Sequence, residues 1–309
     1  MDYSVIGTKI KELRKVVGLT QGELADGICT QALISRIEKG DIYPSATSLY
    51  QISKKLGVDV NYFFEIGMTP RLDYVKEVER QLKKLRVKLK YDEIIEIVKT
   101  EEKNPLFLKD ETNLQLLYWH KGIYMIEVKK DRETALQILE EALSLTLDIK
   151  KAMSEREMNI LISMGILEFG RNNYEKALEI YHKVNDALKY NDQLIDKSIK
   201  TRLLYNTARV LTRLGKYQES IEYCEEGIRW IIEEETLYGF AQLNYHIGYN
   251  LELQERYKEA LPYLDKAAML FDIQFNQKLT AFILEKKEEL IQKLEKNSTF
   301  TPIKGSTKR

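Results

Sequence analysis

Leu19-Thr20-Gln21-Gly22-Glu23-Leu24-Ala25-Asp26-Gly27-Ile28-Cys29-Thr30-Gln31-Ala32-Leu33-Ile34-Ser35-Arg36-Ile37-Glu38-Lys39-Gly40 carries the start and stop signals of two short helices. Thr20 with Glu23 three positions on forms a capping box, and Leu24, Ala25 and Ile28 give the helix it opens an apolar face. After a tight break at Ile28-Cys29, Thr30 can cap a second helix whose apolar side is Leu33, Ile34 and Ile37 and whose stop is Gly40. Two short helices joined by so brief a turn are the helix-turn-helix arrangement. The surrounding residues supply the rest of a small bundle. Ile6, Ile10, Leu13 and Val17 make a stripe ending at Gly18, Ser45 starts a helix with Leu49, Ile52 and Leu56 that stops at Gly57, and Asn61 begins a short fifth helix through Tyr62, Phe63 and Phe64.

Leu19-Thr20-Gln21, Leu24-Ala25, Ile28, Ile34-Ser35-Arg36-Ile37-Glu38, Gly40 and Pro44 together resemble the signature of the phage-repressor (Xre/Cro) helix-turn-helix family, with a turn about one residue shorter. The resemblance implies a five-helix DNA-binding domain over residues 1–66, with its second motif helix in the major groove. Thr30, Gln31, Ala32, Ser35 and Arg36 then face base edges, and Gln21 anchors a phosphate. Gln31 can read adenine with its amide, Arg36 guanine or phosphate, and Ala32 a thymine methyl group. Ile34, Ile37, Leu24 and Ala25 are expected in the core, Glu38 in a structural ion pair or cap, and Cys29 as a small turn residue. Residues 1–66 hold 8 Lys+Arg and 8 Asp+Glu, so a single domain has no basic excess and a homodimer would double its contacts.

Thr69-Pro70 is expected to break the chain. Residues 67–90 then read as a basic linker helix. Between 71 and 90, Arg71, Lys76, Arg80, Lys83, Lys84, Arg86, Lys88 and Lys90 stand against Asp73, Glu77 and Glu79. The excess could touch DNA phosphate, receive an acidic peptide end, or be the solvated face of a helix whose apolar stripe is Leu72, Val75, Val78, Leu82 and Leu85.

Beyond this point the chain repeats. Aligning Tyr91-Asp92-Glu93-Ile94, Arg132-Glu133-Thr134-Ala135, Tyr174-Glu175-Lys176-Ala177, Tyr217-Gln218-Glu219-Ser220 and Tyr257-Lys258-Glu259-Ala260 by their last residues gives spacings of 41, 42, 43 and 40 residues. Five units of two helices each follow over residues 71–294. Twelve positions before the aligned residue stand Gly165, Ala208 and Gly248, with Ile123 beside Gly122 as the exception, and seven after it Ala142, Val184, Gly227 and Ala267. This spacing of small residues resembles a degenerate tetratricopeptide repeat. The resemblance implies an all-α right-handed superhelix whose first helices line a concave face. Residues 295–309 read as a disordered tail.

A Xre-type helix-turn-helix followed by five long tetratricopeptide repeats resembles the RRNPP family of peptide-pheromone-responsive transcription regulators. That resemblance implies a cytoplasmic, quorum-sensing homodimer on a palindromic operator, with a short signalling peptide in the repeat groove. The groove positions eighteen and fourteen before the aligned residue include Asn159 and Ser163, Arg202 and Asn206, and Gln242 and His246. The neighbouring stripes add Arg209, Tyr245 and Tyr249, and also Tyr205. Amides can bond an extended backbone of any sequence, and arginine can hold a carboxylate with two parallel bonds. Asn206 and Gln242 match family ligand positions, and Lys88 and Lys90 lie where the family places basic peptide contacts.

The composition narrows the alternatives. Of 309 residues 48 are Lys+Arg and 48 Asp+Glu, so any phosphate binding has to come from local residues and not from bulk charge. The N-terminal residues lack the apolar run of a signal peptide, and no membrane-spanning apolar run occurs, so a cytoplasmic protein is expected. Two cysteines, Cys29 and Cys224, make neither a disulfide framework nor a zinc site, and three histidines have no ligand spacing, so neither metal nor cofactor is expected. No nucleophile elbow or phosphate-cradling glycine loop supports an enzyme. The residues leave open a DNA-binding regulator whose repeats serve only dimerisation or protein-partner binding.

Overall fold

A computed structural model describes residues 3–68, 71–148, 152–190 and 194–299. Among these, the regular elements are all helical, numbered α1 to α17 in chain order. The residues fall into two compact units, Met1–Leu117 and Tyr118–Arg309, dividing inside helix α9.

The first unit opens with α1 (Tyr3–Val17), α2 (Gln21–Ala25), α3 (Gln31–Lys39), α4 (Ala46–Leu56) and α5 (Val60–Met68). The starts of α2, α3 and α4 and the stops of α1, α3 and α4 are where the sequence marks them, whereas α2 ends at Ala25, short of Ile28. Thr20 accepts from the Glu23 amide while the Glu23 carboxylate accepts from the Thr20 amide, and Thr30 and Ser45 accept from Leu33 and Ser48. Gly18, Gly40 and Gly57 close α1, α3 and α4 with positive φ, a conformation that glycine adopts without steric penalty. The apolar faces meet in one core of Ile6, Ile10, Leu24, Ala25, Ile34, Ile37, Leu49, Ile52, Leu56 and Phe63. Val17, the last residue of the expected first stripe, is exposed, and α5 begins at Val60, one residue before Asn61.

α6 (Leu72–Val87), α7 (Tyr91–Glu101) and α8 (Pro105–Leu108) complete this unit with the start of α9 (Glu111–Tyr124). The break expected at Thr69-Pro70 lies outside the described residues. α6 buries Leu72, Val75, Val78 and Leu82, and its basic face is largely solvated. Lys76 pairs with Glu65, Arg80 with Glu77, and Lys90 with Glu93.

The second unit continues α9 into a π-helical turn (Met125–Lys129), then stacks helices in pairs. These are α10 (Arg132–Ser144), α11 (Glu155–Gly170) with α12 (Tyr174–Leu188), α13 (Ser198–Arg213) with α14 (Tyr217–Glu233), α15 (Phe240–Leu253) with α16 (Tyr257–Ile273), and finally α17 (Gln277–Thr299). The aligned residues Ile94, Ala135, Ala177, Ser220 and Ala260 all have zero exposure, as expected where two helices press together. The small residues twelve positions earlier show why they are small. A Cβ on Gly165 would meet the Tyr181 ring at 2.2 Å, and one on Gly248 would meet Leu264 at 3.0 Å. In the unit with Ile123, Gly122 takes this part: a Cβ there would meet Leu139 at 2.6 Å. The tail expected from residue 295 is corrected in its first part: α17 runs to Thr299, because Ile283 and Leu290 seat the helix in the core and its intervening Lys and Glu face water. The remaining tail residues lie outside the described part.

Candidate functional site

Two surfaces carry the residues singled out in the sequence, one in each unit. In the first, α3 turns Ile34 and Ile37 inward, which leaves Gln31, Ala32 and Arg36 exposed and Ser35 half-exposed on its outer face. Thr30 is exposed and its hydroxyl caps the helix. Behind this face runs a chain of hydrogen bonds. Arg14 on α1 donates from Nε and Nη2 to the two oxygens of the buried Glu38 at 2.6 and 3.0 Å. Arg14 Nη1 also donates to the Leu19 carbonyl at 2.7 Å. Gln21 Nε2 then donates to Glu38 at 2.9 Å, and Gln31 Nε2 donates to Gln21 Oε1 at 2.8 Å.

Burial alone would raise the Glu38 carboxyl, but bonds from Arg14 and Gln21 and the Arg14 charge hold it below the ordinary carboxylate range. The ion pair therefore fixes Gln21, and Gln21 fixes Gln31. The amide of Gln21 retains one N–H, and its backbone N–H at the start of α2 has no intrahelical acceptor, so both can donate outward.

In the second unit the first helices of successive pairs lie side by side, joined by their side chains. Trp119 Nε1 donates to Ser163 Oγ at 3.0 Å and Arg202 Nη1 to Asn159 Oδ1 at 2.5 Å, and within α13 Arg209 Nη1 donates to Asn206 Oδ1 at 3.1 Å. Arg209 stacks over Phe169 with 4.6 Å to the ring centroid. Further along, rings follow one another: Tyr205 to His246 at 5.7 Å, His246 to Tyr249 at 6.1 Å, Tyr249 to Tyr245 at 6.3 Å, and Tyr245 to Phe282 at 5.9 Å. Asn159, Ser163, Arg202, Asn206, Arg209, Tyr245, His246 and Tyr249 thus form one connected layer across α11, α13 and α15. Gln242 stands at the start of α15 with its Oε1 buried and without a hydrogen-bond donor among the described residues. Lys88 and Lys90 are exposed in the first unit.

Four of these residues, Asn159, Ser163, Asn206 and His246, are buried. Ser163 donates to the Asn159 carbonyl. His246 is 6% exposed, with Nε2 3.0 Å from Thr212 Oγ1 in a buried cluster with Ser220 and Asn250. Burial lowers the His246 pKa, the Ala208 carbonyl opposes this and Arg209 and Arg213 add to it, leaving it at about 4. At neutral pH the imidazole is uncharged, so its ring supports Tyr205 and Tyr249 without adding charge to the surface.

Reading the first helices by register omits Tyr181 and Phe169. Tyr181 belongs to a second helix, yet it passes over Gly165 and reaches the charges of Arg209 and Arg202. The missing side chain at Gly165 is the signal that could have located it.

A profile of the RNPP family C-terminal domain matches residues 79–292, and a helix-turn-helix profile matches residues 10–63. No curated protein sequence is significantly similar to the chain. Among solved structures, PlcR of Bacillus thuringiensis in complex with the peptide PapR7 and DNA is 24% identical with a TM-score of 0.84, covering 91% of this chain and 99% of that one. PlcR in its apo form is 21% identical with a TM-score of 0.65, covering 92% and 99%. ComR from S. thermophilus in complex with DNA and its signalling peptide ComS is 18% identical with a TM-score of 0.64, covering 92% and 99%. With the family's C-terminal domain extending over more than half of its residues, behind a helix-turn-helix, the chain belongs to the RNPP family.

Proposed function

We propose that the chain is a cytoplasmic, peptide-responsive transcription regulator that binds a palindromic operator as a homodimer. The observation that carries this reading is the pairing of an outward-facing α3, bearing Gln31, Ala32 and Arg36, with an RNPP repeat domain whose inner helices present amides and arginines. Thr30, Gln31, Ala32, Ser35 and Arg36 are assigned to the major groove and Gln21 to a phosphate. Asn159, Arg202, Asn206, Arg209, Gln242, Tyr245 and Tyr249 are assigned to an extended peptide, with Ser163 and His246 supporting them from behind. The unbonded Oε1 of Gln242 suits a peptide N–H. Peptide and operator affect each other through a coupling free energy of about 1–3 kcal/mol, typical of such systems. No helix among the described residues is long and apolar enough to cross a membrane.

The test is selection of duplex DNA from a random pool by the full chain, with and without pooled random peptides. A recovered palindrome that Arg36→Ala abolishes, and whose recovery changes with peptide unless Asn206→Ala is present, supports the proposal. Equal recovery by Arg36→Ala removes the DNA assignment, and indifference to every peptide leaves the repeats with dimerisation alone.

A further inference from the structure

Some buried charges in this chain are met by an opposite charge. Arg14 meets Glu38, and Glu168 is met by Lys176 at 2.8 Å with Arg171 at 3.7 Å. Arg202 and Arg209 are not. They stand two turns apart on one face of α13, both half-buried, and neither has a carboxylate within ion-pair distance among the described residues. Their partners are neutral: the oxygens of Asn159 and Asn206, and for Arg209 the rings of Phe169 and Tyr205, at 4.6 and 5.8 Å from the guanidinium.

Such partners orient a guanidinium without cancelling its charge. Withdrawing one such charge from water is unfavourable, and withdrawing two on the same face without a counter-ion is more so. The arrangement instead leaves each fork pre-ordered, with N–H groups to spare for a planar anion.

A third group points to the same place. The Tyr181 hydroxyl, on a side chain 1% exposed, has no hydrogen-bond partner among the described residues. Burial pushes its pKa up, and the charges of Arg209 and Arg202 pull it back, so it lies within the field of both guanidiniums.

We infer that Arg202 and Arg209, with Asn206 between them and Tyr181 beneath, form a carboxylate-binding subsite, and that the ligand is a peptide bringing a carboxylate there. The inference rests on the peptide reading proposed above and narrows it. A terminal carboxylate and an Asp or Glu side chain offer the same chemistry, and the arms of the experiment separate them.

The purified full chain is equilibrated with pooled random heptapeptides, made once as free C-terminal acids and once as amides, and the retained peptides are sequenced by mass spectrometry. Peptides bearing a carboxylate are expected to be enriched about tenfold over neutral amidated ones, the range for a charge-assisted bond. Enrichment lost on amidation assigns the terminal carboxylate, and Asp or Glu enrichment surviving amidation assigns the side chain. Arg202→Gln and Arg209→Gln should each remove the preference while still retaining neutral peptides. If either variant fails to fold, the comparison of acid and amide pools on the unmodified chain, repeated across rising salt, decides the matter. No carboxylate preference, or one that both folded variants keep, overturns the subsite and leaves the peptide reading standing. Retention of no peptide from any pool overturns both.

Discussion

A Cβ added to Gly7 would lie 1.9 Å from the Ile37 carbonyl oxygen, so α1 and α3 pack backbone to backbone where they cross. Neither main chain can yield without disturbing a helix. Gly7→Ala should destabilise the first unit by at least about 1–3 kcal/mol, the usual range for overpacking. Gly22, whose added Cβ would meet only Thr20 Oγ1 at 3.9 Å, is the control: Gly22→Ala should be neutral or slightly stabilising, because alanine loses less entropy in a helix. Thermal melts followed by far-UV circular dichroism compare the two. The Arg14–Glu38 pair is a second residue-scale constraint. Arg14→Met strands a buried carboxylate and should cost about 3–5 kcal/mol, whereas Arg14→Met with Glu38→Leu should recover most of it. If the double variant is as unstable as the single, the pair is not the source of the loss. Glu38 was legible as a structural charge, but its partner 24 positions away was not, since nothing local couples them. Gly7 was invisible for a related reason. A periodicity of apolar side chains gives no signal where the important feature is a side chain's absence.

Helix starts were largely written in local chemistry. Thr20, Thr30 and Ser45 each bond an amide in the first turn of the helix they precede, and each second helix of a repeat begins at the tyrosine or arginine that opens the aligned segment. Elements without such a signal were missed. The four-residue α8 and the π turn at Met125–Lys129 depend on how the chain closes between pairs, and α17 has a Lys- and Glu-rich composition that hides the two core residues Ile283 and Leu290. α17 packs along α16 and covers Leu264, Phe271 and their neighbours in the same apolar cluster. A terminal helix of this kind shields the last repeat from solvent. A chain ending at Asn276 should therefore aggregate or melt at lower temperature in size-exclusion and thermal measurements, and one ending at Thr299 should match the full chain. Normal behaviour of the shorter chain would show that the last pair needs no cover. The side-chain layer between the first helices was legible at the same scale in part. Register put Asn159, Arg202, Asn206 and Arg209 on neighbouring faces, whereas the bonds of His246 to Thr212 and the reach of Tyr181 depend on how the pairs stack.

Across the whole molecule, acidity should act on the two units differently, and the chain contains its own reporter. Both tryptophans, Trp119 and Trp230, lie in the second unit, so their fluorescence follows that unit alone while circular dichroism follows both. His246 is buried and neutral with a pKa near 4, against about 6.5 in an unfolded chain. The unfolded state thus takes up a proton first as pH falls. Stability from this group is complete above pH 6.5 and declines between about 6.5 and 4, by about 2 kcal/mol between pH 7 and 5. The Glu38 carboxyl is depressed, so its contribution to the first unit is present above its unfolded value and disappears only as pH drops through the lower folded value. Acidification from pH 7 to 5 should consequently lower the tryptophan-detected melting temperature by several degrees while leaving the Glu38 ion pair intact. His246→Gln, whose amide can still reach Thr212 but does not titrate, should flatten that dependence. An unchanged slope in His246→Gln would place the acid sensitivity elsewhere in the repeats and remove the buried imidazole as its cause.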